Sequence, residues 1–122
     1  MTPITIDFRT AVNDAKRAIR EKGWDYRYSS VDSRCVYFND DRPSCIVGHV
    51  FAYEGLQAHD FNVVNNTREV RKLRKDLVVF TEEALMFLSR LQDFQDTRQT
   101  WGIAYTIALR SVYQNRKENS QP

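Results

Sequence analysis

The chain has 122 residues, of which 42% are apolar and 28% are charged, with only four glycines and three prolines. This composition is typical of one folded domain and excludes collagenous, low-complexity and disulfide-framework chains. Because 18 basic residues nearly balance 16 acidic ones, at a formal charge of +2, attraction for an anionic partner must come from local clustering of charge.

The first predicted helix begins at a cap, Thr5 or Asp7, and ends at Gly23. Its apolar residues recur every three or four positions: Phe8, Ala11, Val12, Ala15, Ala18 and Ile19. Aromatic and polar residues then alternate over 24–28, and a second short apolar run covers 35–38, which predicts a two-stranded hairpin. Two strands are stable only when they pack on helices.

Helix 2 is predicted over about residues 45–54, with Ser44 as its cap and Gly55 at its end. Apolar or small side chains surround almost the whole helix, which is typical of a central, buried helix. Glycine in a helix interior costs about 1 kcal/mol relative to alanine. We therefore expect a neighbouring backbone to approach Gly48 closely.

The second half of the chain is predicted to be helical. A loop over 56–65 precedes helix 3, which begins at Asn66 and runs to Asp76, while Thr81 and Thr100 cap helices 4 and 5. The expected fold is a mostly helical α+β domain with about five helices and a small antiparallel ribbon. This domain covers residues 1–115, and 116–122 form a polar, disordered tail. The inward face of helix 4 is predicted to hold Ala84, Leu85, Leu88 and Leu91, continued by Phe94 or Gln95.

Several spaced blocks carry a resemblance to known sequences. They are Cys35-x-Tyr37, Pro-Ser-Cys-Ile-Val-Gly-His-Val at 43–50, Phe80-Thr81-x-x-Ala84, Gln95-Asp96, and Trp101-Gly102-x-Ala104. These blocks resemble a group of uncharacterised small proteins of actinobacteria and their bacteriophages, in which glycines often follow the Gln-Asp pair. The resemblance implies an actinobacterial or bacteriophage source and an accessory or counter-defence role, but no particular activity.

The aromatic ribbon and the start of helix 2 form the leading candidate site. A helix N-terminus binds anions through its free N–H groups, and aromatic rings with nearby arginines suit nucleotides. We therefore predict a non-enzymatic binding protein, without a cofactor, that captures a nucleotide-like anionic ligand or a host protein. In the competing interpretation, Ser44 caps its own helix and satisfies the same N–H groups. The predicted ligand-binding residues are Tyr26, Tyr28, Arg42, Ser44, Cys45 and His49.

A second hypothesis is a small DNA-associated regulator. Arg68, Arg71, Lys72 and Lys75 share one face of predicted helix 3 and could contact a nucleic-acid backbone. A DNA-binding domain usually has a wider basic surface, so a solvated helix face is the competing interpretation.

A third hypothesis is a Cys/His enzyme or a metal protein. Cys45 and His49 are one helical turn apart, and a helix N-terminus favours the thiolate, with Asp60 as a candidate to orient the imidazole. Cys35 and His59 would complete four zinc ligands, but spacings of ten residues are unlike those of structural zinc sites. No phosphate loop, nucleophile elbow or dinucleotide fingerprint is present, so we assign neither catalytic nor metal-binding residues and disfavour an enzyme.

The expected location is the cytoplasm of a bacterial host. No stretch approaches the roughly 20 apolar residues of a membrane span, and the N-terminus lacks the features of a secretory signal. We expect both cysteines to be reduced there. The apolar stripes of helices 4 and 5 would also suit a homo-oligomer interface.

Overall fold

The computed structural model describes residues 3–28 and 36–120. Strand β1 (Ile4–Ile6) pairs in parallel with β4 (Val78–Phe80), and β2 (Phe38–Asn39) forms an antiparallel ribbon with β3 (Arg42–Pro43). Short 3₁₀ turns cover Ala58–Asp60 and Val70–Lys72. The predicted mostly helical α+β class with a small ribbon is confirmed. None of the described helices is long and apolar enough to cross a membrane. In chain order the elements are β1 (Ile4–Ile6), α1 (Phe8–Lys22), β2 (Phe38–Asn39), β3 (Arg42–Pro43), α2 (Ile46–Tyr53), α3 (Val63–Asn66), β4 (Val78–Phe80), α4 (Glu82–Asp96) and α5 (Trp101–Asn119).

The parallel pair of β1 and β4 joins two similar strand–cap–helix units. β1 leads through Asp7 into α1, where Asp7 Oδ1 accepts a hydrogen bond from Thr10 N at 2.8 Å. β4 leads through Thr81 into α4, where Thr81 Oγ1 accepts from Ala84 N at 3.3 Å. Both helices therefore begin at the same end of the pair and pack against each other. Sequence analysis missed both strands because three residues show no periodicity.

Helix α2 lies at the centre of the structure, as predicted. Its contacts are with α1, α4 and β3, and its residues from Ile46 to Phe51 are buried. A Cβ atom on Gly48 would lie 2.0 Å from the carbonyl oxygen of Tyr37, so only glycine fits. The expected close approach of a neighbouring backbone is confirmed.

The predicted hairpin of residues 24–28 with 35–38 is wrong. The ribbon forms instead between β2 and β3, across a two-residue turn in which Asp40 has a φ of 56°. Aspartate is among the few residues other than glycine that adopt this left-handed conformation readily. Cys35 lies outside the described residues.

Residues 24–28 cover the N-terminus of α5. The carbonyl oxygens of Tyr26 and Trp24 accept hydrogen bonds from Trp101 N at 2.8 Å and from Gly102 N at 3.0 Å. These N–H groups would otherwise lack partners, since the first turn of a helix has no preceding carbonyls to bond. The alternating aromatic pattern therefore marks a segment that turns at residues 24 and 25 and packs on a helix end, and not a strand of a hairpin.

The predicted helix over 66–76 is also wrong. α3 ends at Asn66, and the following residues form one 3₁₀ turn before the chain reaches β4. The side chain of Asn66 is held by the ribbon, where it accepts from Phe38 N at 2.9 Å and donates to Phe38 O at 2.8 Å. Asn62 caps α3 instead, accepting from Asn65 N at 2.7 Å. Helix α3 therefore starts and ends earlier than the predicted helix 3, because the side chain of Asn66 pairs with the backbone of Phe38 and does not cap a helix.

The turn between α4 and α5 has a backbone conformation that glycine adopts most readily. Arg98 has a φ of 67°, in the left-handed region. Its carbonyl oxygen accepts a hydrogen bond from Arg27 Nη1 at 2.5 Å, which helps to hold this turn. The backbone thus adopts this shape without the glycine that the resemblance would place here.

Helix α5 continues to Asn119, beyond the boundary predicted at residue 115. The guanidinium of Arg116 donates to both carboxylate oxygens of Glu83, at 2.5 and 2.6 Å. It also lies over the rings of Phe8 and Tyr113, at 5.0 and 5.2 Å. These contacts attach the last turns of α5 to α4, so the polar composition of this segment does not mark the end of the domain.

Candidate functional site

The start of α2 is occupied by the protein's own acceptors. Gln95 Oε1 accepts a hydrogen bond from Ile46 N at 2.8 Å, and Cys45 Sγ accepts from Gly48 N at 3.4 Å. Ile46 and Cys45 are fully buried. An anion here would have to displace both acceptors, so the premise of an open helix end is wrong.

The other predicted ligand-binding residues lie in different surroundings. The hydroxyl groups of Tyr28 and Ser44 lie 3.0 Å apart, so these two residues do meet. The ring of Tyr26 packs edge-on against Trp101, with ring centroids 4.7 Å apart, and forms part of the core packing. Arg42 is exposed on the ribbon.

Cys45 and His49 do not form a nucleophile–base pair. The carbonyl oxygen of Cys45 lies 2.8 Å from His49 Nδ1, and since a carbonyl can only accept, Nδ1 carries the proton. Burial lowers the pKa of His49, which favours the neutral ring. Asp60, the expected orienting residue, accepts instead from Gln57 N at 2.8 Å. The imidazole is therefore fixed by the backbone and not positioned to deprotonate the thiol.

The four-ligand zinc hypothesis finds no support in the residues described. The side chain of His59 is 74% exposed and lies beside Asp60, 3.8 Å away. Over 3–28 and 36–120, no three histidine, cysteine, aspartate or glutamate side chains are grouped so that they could hold a metal ion.

The basic residues between 68 and 75 do not form a helical stripe. Arg68 Nη1 donates to the carbonyl oxygen of Lys72 at 3.5 Å, and Lys72 Nζ lies 3.8 Å from Glu69. Arg74 forms a bidentate pair with Asp76. The DNA-binding premise, a single basic helix face that includes Lys75, is therefore wrong.

Two adjoining cavities border α4 where its exposed side meets its buried side. The large cavity has a volume of about 470 Å³, and the small cavity has a volume of about 230 Å³. Both are lined by Arg71 and Ser89, so they lie side by side. Of the residues predicted from the sequence, Arg71 therefore belongs to this candidate site. The large cavity is lined by Arg71, Glu82, Leu85, Met86, Ser89 and Arg90; the small cavity by Glu69, Val70, Arg71, Ser89, Gln92 and Asp93.

Ser89 lines both cavities, and its hydroxyl is buried. Its side chain is only 6% exposed, and its Oγ atom has no hydrogen-bond partner among the described residues. Leaving a buried polar group unpaired costs about 1–3 kcal/mol. Such groups are few in native structures and call for an explanation, of which a bound ligand is one.

The two arginines of the large cavity are available to an anion. Arg71 and Arg90 are exposed, and neither makes an ion pair within the described part of the chain. Arg74 and Arg116, by contrast, are bound to Asp76 and Glu83. A guanidinium presents a planar fork of donors that matches carboxylate and phosphate groups.

Sequence analysis named Gln95 as a possible continuation of the inward face of α4 but missed Ser89 and Gln92, although the pattern contained an indication of them. Ser89, Gln92 and Gln95 each follow a leucine of the predicted apolar stripe by four positions. All three are buried. A polar side chain on the buried face of a helix needs a partner, so these positions mark internal hydrogen bonds or a site.

No protein-family model, characterised protein or solved structure matches this chain. The resemblance to small proteins of actinobacteria and their bacteriophages stays a prediction. The functional interpretation therefore depends on the cavities along α4.

Proposed function

We propose that this is a non-enzymatic binding protein whose large cavity takes a small anionic ligand. One observation carries the proposal: Arg71 and Arg90 line the same cavity as Ser89, whose buried hydroxyl has no hydrogen-bond partner in the described part of the chain. The two guanidinium groups supply positive charge and paired N–H donors, and the hydroxyl supplies a further hydrogen bond.

The lining of the large cavity favours an anion with an organic part. Leu85 and Met86 provide apolar surface, whereas Glu82 would repel a second negative group at its end of the cavity. The volume of about 470 Å³ lies within the roughly 300–1,000 Å³ of small-molecule sites. A nucleoside monophosphate has these properties, because its charge is confined to one end.

The resemblance noted in the sequence suggests a biological setting for such binding. An accessory or counter-defence protein of a bacteriophage, acting in the cytoplasm of its bacterial host, could work by sequestering a nucleotide-like molecule without converting it. This setting follows from the resemblance, whereas the binding itself follows from the cavity.

Thermal unfolding in the presence of inorganic phosphate and the nucleoside monophosphates tests the proposal. A ligand at a hundred times its Kd is expected to add about 2.7 kcal/mol to the free energy of unfolding. Arg71→Gln and Arg90→Gln should abolish this gain while leaving the unliganded protein within about 0.5 kcal/mol of wild type, because both side chains are exposed.

Arg74→Gln is the matched control. It removes the same charge from the same segment, but Arg74 is engaged by Asp76 and lines neither cavity. An equal loss of binding in this variant would indicate general charge attraction in place of a site. Failure of every anion to stabilise the wild-type protein would refute the proposed function.

A further inference from the structure

The two adjoining cavities differ in the sign of their charge. The large cavity has two arginines, Arg71 and Arg90, against Glu82, and so a formal excess of one positive charge. The small cavity has two carboxylates, Glu69 and Asp93, against Arg71, and so a formal excess of one negative charge. A single ligand that fills both cavities would meet donors at one end and acceptors at the other.

The acceptors of the small cavity are its carboxylates. Gln92 also lines it, but Gln92 Oε1 accepts from Val70 N at 3.2 Å and its Nε2 donates to Tyr37 Oη at 3.0 Å. Among the described residues, Glu69 has one distant, well-exposed ion pair, with Lys72, and such surface pairs contribute little. Asp93 makes no ion pair with the described residues. Carboxylates accept hydrogen bonds and donate none, so this cavity suits a group rich in N–H donors.

Neutral N–H donors fit the small cavity better than a cation does. Arg71 lines this cavity and Lys72 lies beside Glu69, so two positive charges already balance the two carboxylates, and a ligand group needs no charge of its own here. The edge of a nucleobase offers N–H groups without a formal charge. Guanine places a ring N–H and an exocyclic amino group side by side, which matches the two oxygens of one carboxylate.

We propose, resting on the proposed function, that the ligand is a nucleotide bound across both cavities, with guanine as the preferred base. The phosphate lies between Arg71 and Arg90 in the large cavity. The N–H edge of the base faces Asp93 and Glu69 in the small cavity, and the hydroxyl of Ser89 lies between the two ends.

Calorimetric titration with guanosine, inosine and uridine monophosphates and with inorganic phosphate tests this assignment. Inosine lacks the exocyclic amino group, so we expect guanosine monophosphate to bind about tenfold more tightly than inosine monophosphate. Asp93→Asn and Glu69→Gln should reduce this preference and leave the affinity for uridine monophosphate unchanged. Asp76→Asn is the control, because Asp76 is exposed and pairs with Arg74 outside both cavities.

The outcomes separate this inference from the proposed function. Equal affinities for the three nucleotides, or a guanine preference that survives both carboxylate substitutions, would overturn the assignment of the base and leave anion binding in place. Absence of binding by any of these anions to the wild-type protein would refute both. Circular dichroism of each variant confirms that a loss of binding is not a loss of folding.

Discussion

The start of α2 and the cavity-lined side of α4 both bring polar groups together, but the protein completes the hydrogen bonding of only the first. At α2, Gln95 and Cys45 accept hydrogen bonds from the N–H groups of Ile46 and Gly48. At α4, the hydroxyl of Ser89 is buried without a partner among the described residues, beside open cavities. Because unpaired polar groups are costly in an interior, a residue left unpaired next to a cavity indicates a ligand better than a helix end does.

The largest effect on stability is expected from Gly48→Ala in α2. The new Cβ would lie 2.0 Å from the carbonyl oxygen of Tyr37, and a backbone atom cannot rotate aside. We expect the free energy of unfolding, measured in urea, to fall by about 3 kcal/mol.

Gly102→Ala is the matched control for this prediction. There the new Cβ would lie 2.2 Å from the ring of Trp24, but this side chain is 52% exposed and can move. A loss of unfolding free energy as large as that of Gly48→Ala would show that a mobile side chain constrains a glycine as strongly as the backbone that approaches Gly48 in α2.

Gln95→Leu tests whether the start of α2 depends on its internal acceptor. The substitution leaves the buried N–H of Ile46 without its partner, so we expect a loss of about 1–3 kcal/mol in a urea denaturation measurement. Gln114→Leu, at an exposed position of α5, should stay within about 0.5 kcal/mol of wild type. Unchanged stability in Gln95→Leu would reopen this helix end as a candidate anion site.

Asp14→Asn tests the interface of α1 with the far end of α2. Burial raises the pKa of Asp14 to about 8, with a further contribution from a hydrogen bond and like charge of Glu54. The folded protein therefore keeps a proton on Asp14 that the unfolded chain releases near its ordinary pKa of 3.8. Wild-type stability should fall as the pH rises between these two values.

The gain in melting temperature from Asp14→Asn should consequently be small near pH 4 and largest above about pH 8. Thermal unfolding at both ends of this range measures it. Asp25→Asn, at an exposed position after α1, serves as the control. A difference in melting temperature between Asp14→Asn and wild type that stays constant with pH would contradict the raised pKa of Asp14.

The smallest effect on stability is expected from Ser89→Ala in α4. No hydrogen bond within the described chain is lost, so the free energy of unfolding should stay within about 0.5 kcal/mol of wild type or rise slightly. Binding of the anion should nevertheless weaken several-fold in calorimetric titration. A stability loss above about 1 kcal/mol would show that the hydroxyl serves the fold and not a ligand.

Local chemistry in the sequence determined the starts of three helices, whereas α2 is capped by Cys45 and not by the predicted Ser44. Asp7, Thr81 and Thr100 begin α1, α4 and α5, because capping and helical periodicity involve residues three or four positions apart. The burial of α2 and the close approach at Gly48 also followed from the sequence, since a helix without a polar face has to be enclosed.

Tertiary structure decided which polar groups are paired. The bond from Ile46 to Gln95 and the register of Ile4 opposite Val78 join residues far apart in the chain, and no local pattern specifies such pairs. The same long-range contacts turned Asn66 toward the ribbon and ended the predicted helix 3. They also left the Ser89 hydroxyl without a partner within residues 3–28 and 36–120, and a sequence pattern cannot show this.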